Sequence, residues 1–294
     1  MKIAMLWAFR DLTTWSTPLG ICNELASRGH EVAPFSLYEQ MGDNWGYGHS
    51  GVVNLVSTCR AGYSPDVVLF MDWGQYINPN LRRALIPEAK WVMEAGDDPQ
   101  QFNGNRQIAA GFDYVLTPDR TMVPQYQAMG KKAIWWTHHA DQRIYRPEHH
   151  NPIHEVVSTC GPRHSDLQFL ERYLGDRFVN KRVHPNLHAQ RLGEGKIVVQ
   201  RSQYGEVTRR IFEAAAVGAC VVTDQLPEDK GLAELMVPDK EIVLYSSPSD
   251  LAMKVDELLR NDERRKEIAL AGQARTLRDH TCASRVEALL EAIS

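Results

Sequence analysis

The chain lacks any long hydrophobic run. No apolar stretch approaches the roughly 18 residues a membrane helix needs, so no span is expected. It also lacks an excess of positive charge: 33 Lys and Arg stand against 37 Asp and Glu, a formal net charge of -4. That argues against a protein that lives by non-specific nucleic-acid binding, and leaves room only for a local basic groove. Cysteine is sparse and odd in number. Cys22, Cys59, Cys160, Cys220 and Cys282 are widely spaced and form no CxxC. Cys160 and Cys220 end apolar runs and read as reduced core residues, so a cytoplasmic location is expected. The opening MKIAMLWAFRDLTTW has one Lys and a short apolar run before Arg10 and Asp11, without a signal-peptide h-region. Internal repeats and low-complexity segments are missing too.

What is present is an alternation of strands and helices. KIAMLWAF, EVAPFSL, DVVLFMDW, AKWVMEAG, DYVLTPD and KAIWWT are short apolar runs, each predicted as a buried strand. PLGICNELASRGHEV places Leu19, Cys22, Leu25 and Ala26 at helical spacing, and Gly29 ends that helix. After RPEHHNP the pattern restarts: EVVSTCG, a helix around SDLQFLERYL, DRFVNKR, a short helix near PNLHAQRLG, KIVVQRS, a helix over RRIFEAAA, ACVVTD and EIVLYSS. The remainder is helical, with Ser249 as a candidate N-cap. Strands alternating with helices mean an α/β fold with mostly parallel sheets. Two units are expected, with a seam near 147–153 marked by Pro147, Pro152 and a run of histidines.

One residue stands out in the second unit. Glu213 lies between Phe212 and three alanines in a segment that is otherwise apolar. A buried carboxylate is costly unless it has partners. Helical spacing offers Arg209 and Arg210. A carboxylate can instead accept from two vicinal hydroxyls of a ligand.

RGHEV after the first helix resembles the start of many GT-B glycosyltransferases. RIFEAAAVGACVVTD, then GLAELMVPDKEIVLYSSPSDLAMKVDELLRNDERRKEIALAGQARTLRDHT and SRVEALL, resemble the C-terminal domain of the spore-maturation-protein-like glycosyltransferases, relatives of the large retaining family. GFDYVLTPDRTMVPQYQAMG and HHADQRIYRP resemble them more loosely. The resemblance implies a GT-B fold: two Rossmann-like domains facing across a cleft. It implies an acceptor-side domain over 1–150, a nucleotide-sugar domain over 151–275, and a final helix over 276–294 that packs back on the first domain.

It also implies an activity and a site. The activity is transfer of a sugar from a UDP-sugar to an acceptor hydroxyl with retention and without a sugar-bound metal or other cofactor. Glu213 would take the ribose, and Arg209 or Arg163 would neutralise the diphosphate. Arg201, at the end of KIVVQRS, is a further candidate. In SQYGEVTRR, Gly205 permits a tight turn that leads to a helix N-terminus suited to phosphate. Many relatives carry a second glutamate at that position; here it is Gly205, with Glu206 one residue off.

In EAGDDPQQF, Glu94, Asp97 and Asp98 follow the fourth strand, where ligands gather in open α/β sheets. They would orient or deprotonate an acceptor, or else form a capped acidic turn. Arg10, Asp11 and Trp15 lie on the first strand–helix loop, and Trp45, Tyr47 and Trp73 offer aromatic surface or core. His138, His139, His149, His150 and His154 crowd one region as cleft lining, surface loop or, without HExxH spacing, a metal site. The acceptor is open: a small molecule, a glycan, a protein, or a hydroxymethylated DNA base; DNA would need a basic groove, and Arg82, Arg83, Arg106, Arg120, Lys131 and Lys132 either form one or are scattered surface charge. Rival readings on the same fold are a nucleotide-sugar epimerase and a non-catalytic binding module.

Overall fold

A computed structural model describes residues 1–7, 17–41, 44–47, 50–71, 86–161 and 163–294. By its internal contacts the chain divides into two units. One comprises Met1–Thr137 with Arg285–Ser294, the other His138–Ser284. The division therefore falls before the histidine-rich stretch rather than at Pro147–Pro152.

The first unit is built on a six-stranded parallel sheet. Its strands are β1 (Lys2–Trp7), β2 (Glu31–Ser36), β5 (Val67–Phe70), β6 (Lys90–Glu94), β7 (Tyr114–Thr117) and β8 (Lys132–Trp135). Their order is β2-β1-β5-β6-β7-β8. Every pairing is parallel, with Ile3 opposite Val67 and Val92 opposite Tyr114. Parallel strands are covered on both faces, so they read as unbroken apolar runs. All four residues of β5 and all four of β7 are buried accordingly.

Helices α1 (Thr17–Ser27), α2 (Ser50–Arg60), α3 (Phe102–Ala109) and α4 (Val123–Ala128) connect the strands. Gly29, at φ 82°, follows α1 in the left-handed conformation that a helix C-terminus favours. The core gathers Phe70, Trp91, Phe112 and Tyr126. Trp91 meets Phe112 edge-on at 5.9 Å. A short antiparallel pair, β3 (Tyr38–Met41) and β4 (Asn44–Tyr47), was not legible in the sequence.

The second unit carries a five-stranded parallel sheet. Its strands are β9 (His154–Ser158), β10 (Phe178–Asn180), β11 (Gly195–Gln200), β12 (Cys220–Asp224) and β13 (Val243–Tyr245), in the order β10-β9-β11-β12-β13. Its helices are α5 (Ser165–Leu174), α6 (His188–Gly193), α7 (Arg209–Ala216), α8 (Leu232–Leu235), α9 (Pro248–Arg260) and α10 (Asp262–Asp279). Val156, Leu170, Phe178, Val199, Val222 and Leu251 form its core.

Helix α9 starts earlier than expected. Its N-cap is Ser247, whose hydroxyl accepts from the Asp250 N–H, and Pro248 occupies the first turn where no N–H is needed. Ser249 is therefore inside the helix. The last helix, α11 (Cys282–Ile293), contributes Arg285 onward to the first unit. There Arg285 Nε donates to the Thr137 carbonyl at 2.8 Å, and Trp136 Nε1 donates to the Arg285 carbonyl at 2.9 Å. No helix among the described residues is long and apolar enough to cross a membrane.

Candidate functional site

The second unit concentrates its polar groups beyond the carboxyl ends of β9, β11 and β12, where an open parallel sheet collects ligands. The 201–208 segment leaves β11 there and leads into α7. Gly205 sits at φ 75°, and an added Cβ would meet nothing within 4 Å, so backbone conformation rather than space calls for glycine. Glu206 turns back on its own loop. Its carboxylate accepts from the Gln203 N–H at 3.2 Å and the Tyr204 N–H at 2.6 Å, closing the turn.

Thr208 is the N-cap of α7, extended at φ -93° and ψ 150°, yet its side chain does not cap the helix. Its hydroxyl is buried and has no hydrogen-bond partner among the described residues. A buried hydroxyl without a partner is costly. At this point the partial positive charge of the helix start would favour an anion.

Glu213 is buried, on a helix whose residues from Ile211 to Ala216 are all buried. Its partners come from outside that helix. His188 Nδ1, at the start of α6, lies 3.6 Å from Glu213 Oε2. The Tyr145 hydroxyl lies 3.0 Å from the same His188 nitrogen, near enough to Glu213 to feel its charge. His188 Nε2 meets the Thr159 hydroxyl at 3.0 Å, just past β9. Burial pushes the His188 pKa below the ordinary histidine value, against the pull of Glu213, with Arg210 adding to the lowering. The imidazole is therefore neutral near pH 7. Burial and then the Glu213 charge push the Tyr145 phenol upward, which keeps its proton in place.

The arginines divide. Arg201 is held by acids: its Nε meets Asp166 Oδ2 at 2.8 Å, and its Nη1 pairs with Asp224 and donates to the Ser202 hydroxyl at 2.8 Å. Tyr245 donates to Asp166 at 2.6 Å. Two carboxylates against one guanidinium leave little charge for a diphosphate. Arg163 is exposed on the loop after β9, and Arg209 and Arg210 open α7, half-buried. Arg182, which sequence reasoning missed, lies exposed past β10. Its Nε is 3.4 Å from the Cys160 carbonyl, and its side chain runs over Gly161.

In the first unit the acidic stretch separates by burial. Asp98 is 3% exposed. Its Oδ1 accepts from Asn105 at 2.9 Å, and its Oδ2 accepts from Thr117 and Tyr126, each at 2.9 Å. Burial raises its pKa, the three hydrogen bonds pull it down, and Asp119 adds to the rise. That carboxylate is committed to the interior and does not present itself to an acceptor. Asp97 is exposed, at φ 56°, a left-handed conformation that Asp tolerates better than most residues. Glu94 is buried at the end of β6.

The remaining candidates scatter. Arg10, Asp11, Trp15, Trp73, Arg82 and Arg83 lie outside the described residues, as do the side chains of Trp45 and Tyr47. His139 is buried and His138 half-buried. Among the described residues no three His, Cys, Asp or Glu side chains gather as a metal-ligand set. Of the basic residues considered for DNA, Lys131 donates to the Ala110 and Phe112 carbonyls at 3.0 and 2.9 Å, and Lys132 sits over the Tyr114 ring at 4.9 Å. Arg120 lies over Trp135 at 5.6 Å, and Arg106 is exposed.

Tyr145, Thr159, His188 and Thr208 were not singled out from the sequence. HHADQRIYRP and PNLHAQRLG were read as a loop and a short helix, and a lone Tyr, Thr or His carries no spacing signal.

Comparison with known proteins agrees with this architecture. Residues 150–291 match the family model described as glycosyl transferase-like. No curated protein matches the chain in sequence. Sucrose-phosphate synthase from Thermosynechococcus elongatus shares 13% identity at a TM-score of 0.70, covering 99% of this chain and 98% of that one. Alr3699/HepE from Anabaena, solved with UDP and glucose, shares 15% at 0.66, covering 100% and 99%. The catalytic domain of starch synthase IV from Arabidopsis thaliana, bound to ADP and acarbose, shares 9% at 0.69, covering 100% and 98%. Likeness at these identities concerns the fold, which is GT-B, and the family match covers 150–291.

Proposed function

We propose that this GT-B chain, whose segment 150–291 carries the glycosyl transferase-like pattern, moves a sugar from a nucleoside diphosphate to an acceptor hydroxyl. The observation that carries this reading is Glu213. A carboxylate stands on a buried helix beside the neutral side chains of His188 and Tyr145, which come from outside that helix. It suits a ribose diol, since hydrogen bonds to a charged acceptor contribute about 1.5–3 kcal/mol each.

Five residues earlier, Thr208 and the start of α7 suit a phosphate. The buried Thr208 hydroxyl would gain a partner, and the helix dipole would stabilise charge as the diphosphate leaves. Arg209, Arg163 and Arg182 are the arginines we assign to that charge, whereas Arg201 is paired with Asp166 and Asp224. Asp97, exposed beyond β6, is the acid best placed among the three candidates of the first unit to meet an acceptor hydroxyl. Retention at the anomeric carbon is the finer expectation, and proton NMR of the product reads it directly.

UDP and ADP, bound in the HepE and starch synthase structures, set the first nucleotides to screen. The test is thermal stabilisation by nucleotide sugars, followed by transfer assays with the hit. Glu213→Ala is expected to raise the donor KM and lower kcat/KM at least about tenfold, roughly 1.4 kcal/mol. A variant that binds and turns over donor like the parent removes the ribose assignment. Nucleotide released at the same rate with and without every acceptor tried would point to an epimerase or a hydrolase instead.

A further inference from the structure

Glu213 is the only member of its cluster with a role in the reading above. Tyr145 and His188 come from two other segments of the second unit and lie beside it, and Thr159, from a third, meets His188 on its far side. Their hydrogen bonds are directional, and the charges on them order the protons. His188 is neutral, so it has one N–H. The Glu213 carboxylate beside Nδ1 favours the tautomer with the proton on Nδ1. At 3.6 Å that contact is too long for a hydrogen bond, whereas Tyr145 Oη lies 3.0 Å from the same nitrogen. Nδ1–H therefore donates to the Tyr145 oxygen, which leaves the Tyr145 proton free to turn toward the Glu213 carboxylate. The Thr159 hydroxyl donates to His188 Nε2 at 3.0 Å. Every donor in the series has an acceptor. Reversing Tyr145 would turn its lone pairs on the carboxylate.

We propose that Tyr145 and His188 are positioning residues for Glu213. They hold one side of its carboxylate by a relay of hydrogen bonds and leave its other lone pairs to the ribose hydroxyls. The inference rests on the ribose reading of Glu213. Hydrogen bonds in series polarise one another, so the relay also strengthens the contact at its end. The four side chains come from separate segments, which fixes the carboxylate in a site where a rotation would misalign both ribose contacts.

The experiment measures affinity for UDP, ADP and GDP, each beside its 2′,3′-dideoxy analogue, by calorimetry. The tightest binder is carried forward. The parent protein is expected to prefer the ribose form by about tenfold or more. Tyr145→Phe and His188→Leu should each cut that preference roughly fivefold while leaving affinity for the dideoxy form within about twofold. A merely structural role would weaken both forms alike, and that result overturns the proposal. It is also overturned if Tyr145→Phe keeps the full preference while Glu213→Ala abolishes it. If Glu213→Ala itself keeps the preference, the ribose reading has failed, and the positioning role falls with it. A parent protein that binds none of the three diphosphates refutes both. Should His188→Leu fail to fold, Tyr145→Phe, which removes one oxygen, decides the matter alone.

Discussion

Replacing Asp98 with alanine should unfold the first unit before it affects chemistry. The carboxylate is acceptor to three buried donors: Asn105 Nδ2, Thr117 Oγ1 and Tyr126 Oη, each at 2.9 Å. Tyr126 and Thr117 are fully buried and Asn105 is 4% exposed, so none can turn to water. Leaving a buried donor unpaired costs about 1–3 kcal/mol. Three such losses do not simply add, because Asn105 keeps its bond to the Gly96 carbonyl. The burial that raises the Asp98 pKa also shows that the charge carries a desolvation cost, which the substitution removes.

The net expectation for Asp98→Ala is a loss of about 3–5 kcal/mol, in the range for breaking one side of a buried charged network. Asp98→Asn keeps the shape and mismatches one contact, so it should lose about 1–2 kcal/mol. All seven tryptophans of the chain lie within residues 1–137. Tryptophan fluorescence in urea at neutral pH therefore follows the first unit alone. If Asp98→Ala unfolds within about 1 kcal/mol of the parent and yet loses transfer, Asp98 is catalytic and the structural assignment is wrong.

Two further outcomes follow from the same geometry. Asp97→Asn keeps a side chain that tolerates the left-handed φ of 56°, so stability should stay within about 0.5 kcal/mol. Transfer to an acceptor should fall several-fold while donor binding holds; unchanged transfer would release Asp97 from any acceptor role. For the second unit, the folded pKa of His188 lies below its unfolded value. Between those two values the unfolded chain binds more protons, so stability is present above the ordinary histidine pKa and is lost as pH falls toward the folded one. His150 is shifted the same way. The comparison is therefore parent against His188→Gln in urea, followed by circular dichroism at pH 7.5 and pH 5. The parent should lose more stability on acidification than the variant. Equal losses would mean that His188 takes up its proton as readily folded as unfolded.

How much was legible varies with how local the cause is. A strand covered on both faces needs only its own apolar residues, which is why β5 and β12 stand out as VVLF and CVV in the bare sequence. The paired β3 and β4 are four residues each and carry no such run, so they escaped notice. Helix caps were half legible. Ser249 was expected as the cap, but the proline at the first helical position selects Ser247 instead. The acidic stretch shows the limit most plainly. Asp97 and Asp98 are adjacent and chemically identical, and sequence alone ranked them together. Only the packing of Asn105, Thr117 and Tyr126 draws one inward and leaves the other outside.

The sequence by itself determined the alternation of strands and helices, hence two parallel α/β sheets, and it marked Glu213 as an acid in an apolar setting. Tertiary structure alone decided which side chains gather around that acid and its neighbour His188. Tyr145 precedes Glu213 by 68 residues, Thr159 by 54 and His188 by 25. Tertiary structure likewise spent Arg201 on Asp166 and Asp224 and left Thr208 with a buried hydroxyl to satisfy. Periodicity is a property of neighbours along the chain, and it therefore reports which face is apolar. Hydrogen bonds between side chains depend on distances near 3 Å that only the folded sheet brings about.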